Sequence, residues 1–252
     1  MWSERQKAML KEMGIRVFDA NPHGADTGSP PVSPLREGGG AAGAAQVAGA
    51  GAVAGVGALG WAELRAAVVG CRACGLCETR TQTVFGVGNE RAHWMVVGEA
   101  PGEQEDLQGE PFVGAAGQLL DAMLRAIGLT RGDAPPERAV YIANTLKCRP
   151  PRNRNPEPQE MQRCEPFLVR QIALVRPRII LAMGRFAVQA LLRSDEPVGR
   201  LRGRVHRYEG VPLVVTYHPA YLLRNPADKA RAWDDLCLAA EVAEAAQPAE
   251  TL

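Results

Sequence analysis

Neither sign of charge dominates this chain of 252 residues: 29 Lys plus Arg stand against 28 Asp plus Glu, a formal charge of +1. That balance excludes a uniformly basic nucleic-acid coat and an acidic disordered tail, so charge-driven binding has to come from local asymmetry. The opening residues, MWSERQKAML, lack the apolar core that a secretory signal requires, and the expected compartment is the cytoplasm. Six cysteines are too few for a disulfide scaffold, and a reducing compartment would keep disulfides open. Residues 38–60 carry no charge, yet nine Gly, nine Ala and only Val47, Val53, Val56 and Leu59 as larger aliphatics make a weak membrane span. Their low hydrophobicity and high backbone entropy argue for a linker.

What is present is enough for one substantial core, since 46% of the residues are hydrophobic. The expected organisation starts with a short amphipathic helix over residues 1–18, where Met9, Leu10, Met13, Ile15 and Val17 follow a Ser that can cap. A disordered Pro/Gly/Ala-rich linker spans 19–60, a folded domain 61–245, and a disordered tail 246–252. Within the domain, β-type runs at 94–98, 140–144, 178–183 and 213–217 alternate with helical segments at 61–70, 115–128, 157–175, 184–194 and 226–246. Such alternation predicts a mainly parallel four-stranded sheet between helices on both faces, an α/β/α sandwich. Ligands of such sheets gather at the carboxyl ends of the strands, which directs attention to GEAPGEQED, NTLKCRPP, GRFA and YHPAYLLRNP.

Each of these loops has an ordinary and a chemical reading. GEAPGEQED puts Glu99, Glu103, Glu105 and Asp106 close behind a strand, where they can remain solvated, cap a helix, bind a cation or position water. Phe112, between turn formers, can plug the core or stack on a planar ligand. Asn144 can tie down its own turn or pair with the edge of a base. From 147 to 207 there are 14 Lys plus Arg against five acids, an excess of nine (14 minus 5), and an arginine stripe of this kind suits phosphates. His218 ends a strand ahead of Leu222 and Leu223, which are costly to expose unless they wedge into something such as a base stack. Cys71, Cys74, Cys148 and Cys164 could converge on tetrahedral zinc or on an iron–sulfur cluster, and spacing alone does not choose between them. Cys77 extends the first pair to CxxCxxC and offers a competing third ligand, whereas Cys237 lies alone in a late apolar stretch.

Together GEAPGEQED, GEPFVGAAG, NTLKCRPPRNRNP and YHPAYLLRNP, with a CxxC ahead of them, resemble the family 4 uracil-DNA glycosylases over roughly residues 61–245. The resemblance implies excision of uracil from DNA in base excision repair and a 4Fe-4S cluster on Cys71, Cys74, Cys148 and Cys164. It implies further that Phe112 stacks on uracil, Asn144 reads its edge, His218 hydrogen-bonds near O2 and the backbone at Ala100 lines the pocket. Glu99 would orient or activate the attacking water, with Glu105 as a helper. The superfamily branch that traps the sugar with a His in a basic inserted loop has no counterpart between Asn144 and Cys164.

A glycosylase must turn its nucleotide out of the stack, which calls for a phosphate grip and a wedge. Arg149, Arg152, Arg154 and Arg224 are the expected grip and Leu222 the expected wedge. The expected partner is single- or double-stranded DNA, bound by a monomer associated with the nucleoid and free of membranes. A rival reading is a non-catalytic iron–sulfur DNA-binding module that tethers a repair or replication partner through the N-terminal helix. Glu99, Phe112, Asn144 and His218 together argue against it, since a pure binder has no use for that set. A zinc-stabilised enzyme acting on free nucleosides would have no use for the arginine stripe and the leucine pair.

Overall fold

The computed structural model describes residues 55–245. Strands β1 (Val87–Gly88), β2 (Trp94–Gly98), β3 (Val140–Asn144), β4 (Ile179–Met183), β5 (Val205–Tyr208) and β6 (Val211–Thr216) form one sheet in the order β1-β3-β2-β4-β6-β5. The central pairs β3–β2, β2–β4 and β4–β6 are parallel, as expected from the alternation of strand and helix segments. The antiparallel edges β1 and β5 were not among the expected strands. One is only two residues long, and the other, VHRY, alternates exposed and half-exposed positions, a pattern suited to a blunted edge.

Residues of β2, β3 and β4 are buried throughout, because helices cover both faces of the sheet. The helices are α1 (Trp61–Val69), α2 (Leu76–Thr79), α3 (Glu103–Gln108), α4 (Ala115–Ala126), α5 (Pro158–Val175), α6 (Arg185–Leu192), α7 (Val198–Leu201), α8 (Pro219–Arg224) and α9 (Lys229–Ala245). Alternate strand residues feed two separate cores. Trp94, Val96, Ile142 and Leu181 pack with Leu120 and Met123 of α4 and Trp233 and Leu236 of α9. Met95, Val97, Tyr141 and Ile180 pack on the other side with Leu168 and Ile172 of α5 and Val188 and Leu191 of α6. This two-residue period gives the expected three layers.

The domain begins before Trp61. Val56 is buried with Leu64, Val68, Phe85 and Phe167, and the Leu59 carbonyl accepts a hydrogen bond from Arg170 Nε at 2.6 Å. The last residues of the expected linker therefore belong to the folded body, because an isolated valine among glycines and alanines found a core to enter. The expected helix over 1–18, linker residues 19–54 and the tail 246–252 lie outside the described residues. Among the described residues no helix is long and apolar enough to cross a membrane.

Candidate active site and cysteine cavity

The parallel strands deliver their following residues to one edge of the sheet. Glu99 follows β2, Asn144 closes β3, Arg185 follows β4 and Tyr217–His218 follow β6, and all of them line one cleft of about 640 Å³. In the ladder Gly98 lies beside Asn144. A Cβ on Gly98 would stand 2.5 Å from Asn144 Oδ1 and 2.6 Å from the Phe112 ring, so this glycine is what lets the amide and the ring meet. Asn144 Oδ1 is buried without a hydrogen-bond partner. A buried acceptor left open at the floor of a cleft is a feature that a ligand donor would satisfy.

Phe112 holds a left-handed backbone at φ 56°, a costly conformation for a bulky residue. Glu105 clamps the loop that carries it. One carboxylate oxygen accepts from Val113 N at 3.0 Å and Gly114 N at 3.2 Å, and the other accepts from Gly102 N at 3.0 Å. Both oxygens of Glu105 are thus engaged by main-chain donors, so that this cleft-lining carboxylate holds the Phe112 loop against α3. The Phe112 and His218 rings are stacked, with centroids 5.3 Å apart. The half-buried His218 is the N-cap of α8, and its Nδ1 accepts from Ala220 N at 3.2 Å. Burial, reinforced by the positive charge of Arg224, lowers its pKa to about 4. With Nδ1 accepting, the neutral imidazole carries its proton on Nε2 and can donate it.

Glu99 lies with Ala100 at the pocket wall. Burial raises its pKa, while Arg185 and Arg224 act in the opposite sense. Its carbonyl accepts from Leu146 N at 3.1 Å and also from Thr145 Oγ1, which ties the loop after β2 to the loop after β3.

The arginines and leucines divide differently from expectation. Arg154 is occupied by Glu160, at 3.0 and 2.6 Å, and by Glu157 at 3.1 Å, so it is not an open phosphate ligand. Arg149 donates to Asn153 Oδ1 at 2.8 Å and faces Glu103 at 3.6 Å. Arg152 and Arg224 are exposed, and so is Arg185, which lines the cleft but was not among the expected grip residues. Its signal was its place directly after a strand. Leu222 cannot be a wedge as placed, because it is fully buried in the core beneath α8, while neighbouring Leu223 is 43% exposed. On a helix, adjacent residues project about 100° apart, and the sequence pair did not say which of them faces inward.

Cys71, Cys74, Cys148 and Cys164 line a separate, smaller cavity, together with Cys77. No group of three or more His, Cys, Asp or Glu side chains among the described residues is placed to hold a metal ion. A single tetrahedral ion needs its sulfurs about 2.3 Å from one point, whereas a cluster takes thiolates from a wider ring. Donors already face the sulfurs: Arg80 Nη1 reaches Cys148 Sγ at 3.0 Å and Lys147 N reaches Cys164 Sγ at 3.2 Å. Burial raises the thiol pKa values of Cys74 and Cys148 and pushes Cys164 up to about 12. Thiolates in this cavity therefore call for a bound cationic centre. The donor set fits an iron–sulfur cluster on these cysteines.

Comparison with known proteins gives the same neighbourhood. The family model for the uracil DNA glycosylase superfamily matches residues 85–237. A type-4 uracil-DNA glycosylase of Archaeoglobus fulgidus is 47% identical over 63% of this chain and 81% of its own length. Those of Pyrobaculum aerophilum and Saccharolobus solfataricus are 41% and 44% identical, over 70% and 62% of this chain and 91% and 74% of their own lengths.

The ring environment makes a direct prediction. In an NMR titration of the imidazole nitrogens, His218 stays neutral, protonated on Nε2, from pH 8 down to about 5, and takes up its second proton near 4. Titration in the ordinary histidine range, about 6.5, would contradict the described burial.

Proposed function

The chain belongs to the uracil DNA glycosylase superfamily, and from that premise we propose that it hydrolyses the N-glycosidic bond of uracil in DNA, releasing the base and leaving an abasic site for repair. The observation that carries this reading is the open, buried Oδ1 of Asn144 beside the Phe112 ring. An amide there can accept from uracil N3–H and donate to O4, while cytosine offers the reversed pattern and leaves buried polar atoms unpaired. Phe112 supplies a flat face for the base.

Breaking the bond between N1 and C1′ leaves positive charge on the sugar and negative charge on uracil O2. His218, neutral and protonated on Nε2, donates to O2 as that charge grows. The Glu99 carboxylate stabilises the sugar cation, holds a water against C1′ and takes its proton, so no covalent nucleophile is required. Arg152, Arg185 and Arg224, exposed around or near the cleft, are the phosphate grip, with Arg149 a secondary contact. Leu223 is the wedge that fills the stack when the nucleotide leaves.

A 4Fe-4S cluster on Cys71, Cys74, Cys148 and Cys164 supplies cross-linking between α5, the loop before α2 and the basic loop after β3. Its ligands line a different cavity from Glu99 and His218. Its role in this reading is structural.

Alkaline scission of an oligonucleotide with one uracil tests the chemistry. Wild-type protein excises uracil and not thymine, and Glu99→Gln loses about 10²- to 10⁴-fold in rate. Because Glu99 is raised by burial, the acid limb of the wild-type profile lies above the ordinary carboxylate range: the rate falls with decreasing pH as the base is protonated, and Glu99→Gln removes that limb. A folded protein that binds the oligonucleotide and releases no base would instead be a tethering module.

The two leucines separate stability from flipping. Leu222→Ala costs about 2–5 kcal/mol of folding stability in chemical denaturation. Leu223→Ala leaves stability nearly unchanged but slows excision from duplex more than from single-stranded DNA, since only the duplex must be unstacked; equal losses on both substrates would remove Leu223 from that role.

Removing the iron by chelation, or substituting Cys148→Ser, bleaches the brown colour and weakens both DNA affinity and thermal stability. Loss of chemistry with fold and DNA affinity intact would overturn the structural assignment of the cluster.

A further inference from the structure

The segment Asn144–Cys148 joins the two cavities. Asn144 faces the cleft, Thr145 and Leu146 hold the Glu99 carbonyl, and Cys148 lines the cysteine cavity. Lys147 lies between them in the chain and is 1% exposed, an expensive place for an ammonium group unless it is hydrogen-bonded. Its Nζ donates to the Asn144 carbonyl at 2.7 Å and to Gln171 Oε1 at 2.6 Å. Gln171 Nε2 in turn donates to the Phe85 carbonyl at 2.8 Å and to Tyr141 Oη at 3.2 Å, which fixes it within α5 against the sheet. The Lys147 main chain is held as well: its N–H donates to Cys164 Sγ at 3.2 Å and its carbonyl accepts from Val84 N at 2.8 Å.

The carbonyl of Asn144 lies at the end of β3, where the ladder no longer guarantees a partner, and the residue is buried. Lys147 supplies that partner and at the same time connects it to the residue whose sulfur lines the second cavity. A neutral side chain of similar length would leave the Asn144 carbonyl and Gln171 Oε1 without donors.

We propose that Lys147 is a positioning residue for uracil recognition: by locking the Asn144 carbonyl against Gln171 it aims the Asn144 amide into the cleft, and it makes that aim depend on the order of the cysteine loop. This rests on the uracil-excision reading above. Lys147 touches no base itself and acts only through Asn144.

The test is a double-mutant cycle between Lys147→Met and Asn144→Ala, read out by single-turnover excision and, independently of turnover, by the dissociation constant for free uracil from an NMR titration. Lys147→Met should keep its iron content and visible absorption and bind an abasic-site oligonucleotide as wild type does. It should excise uracil about 10- to 100-fold more slowly and bind uracil more weakly by a similar factor, the expected effect of leaving buried acceptors unpaired. Lys147→Arg, which retains a donor and the charge, should recover part of the loss. In the Asn144→Ala background Lys147→Met should cost nothing further. Additive losses, or unchanged uracil affinity, would overturn the proposal. If Lys147→Met does not fold, Gln171→Leu, which removes the lateral support of Nζ, takes its place in the cycle: non-additive losses with weakened uracil binding support the proposal, and additive losses or unchanged affinity overturn it. A wild type that binds uracil but does not excise it would refute the excision reading, while the uracil-affinity arm would still decide the role of Lys147.

Discussion

Two parallel strands ending in register are the constraint on which the pocket depends. Because Gly98 stands beside Asn144 in the ladder and has no Cβ, the ring of Phe112 and the amide of Asn144 share a space that any other residue would fill. The loops that follow are then tied to each other: the Glu99 carbonyl is held by Thr145 and Leu146, and Phe112 is held in its left-handed conformation by the Glu105 clamp. The strain at Phe112 is offset by hydrogen bonds elsewhere, as is usual at a site prepared in advance for a ligand.

Burial shifts two of the pocket's ionisable groups, Glu99 and His218, in opposite directions. It keeps His218 neutral, so that in the proposed reaction it would donate without bringing a full positive charge to the base, and it raises Glu99 toward the range in which a carboxylate would be a more effective base. Arg185 and Arg224 oppose the rise at Glu99 and so help keep it ionised at neutral pH. Both arginines also line the cleft, so in the proposed reading the grip on the DNA backbone and the charge state of Glu99 would be linked through shared side chains.

Much of this was legible from residues alone. The apolar runs of β2, β3 and β4, the strand-end positions of Glu99, Asn144 and His218, and the paired cysteine spacings are local patterns that physical rules read directly. The edge strands were not legible, since two residues at Val87–Gly88 carry no period and VHRY resembles a polar turn. Helices of four to six residues, such as Leu76–Thr79, Glu103–Gln108 and Pro219–Arg224, are too short for an apolar stripe to register.

By itself the sequence determined which chemical groups are available and in which order strands would present them, because alternation and strand-end position are short-range properties. Only the tertiary structure decided how those groups are used. Arg154 became the partner of Glu160, Glu105 a backbone clamp, Leu222 a core residue and Leu223 its exposed neighbour. The reason is that hydrogen-bond partnership and burial depend on elements distant in the chain: whether a carboxylate is free, an arginine open or a leucine exposed is settled by what packs against it, and no local spacing carries that information.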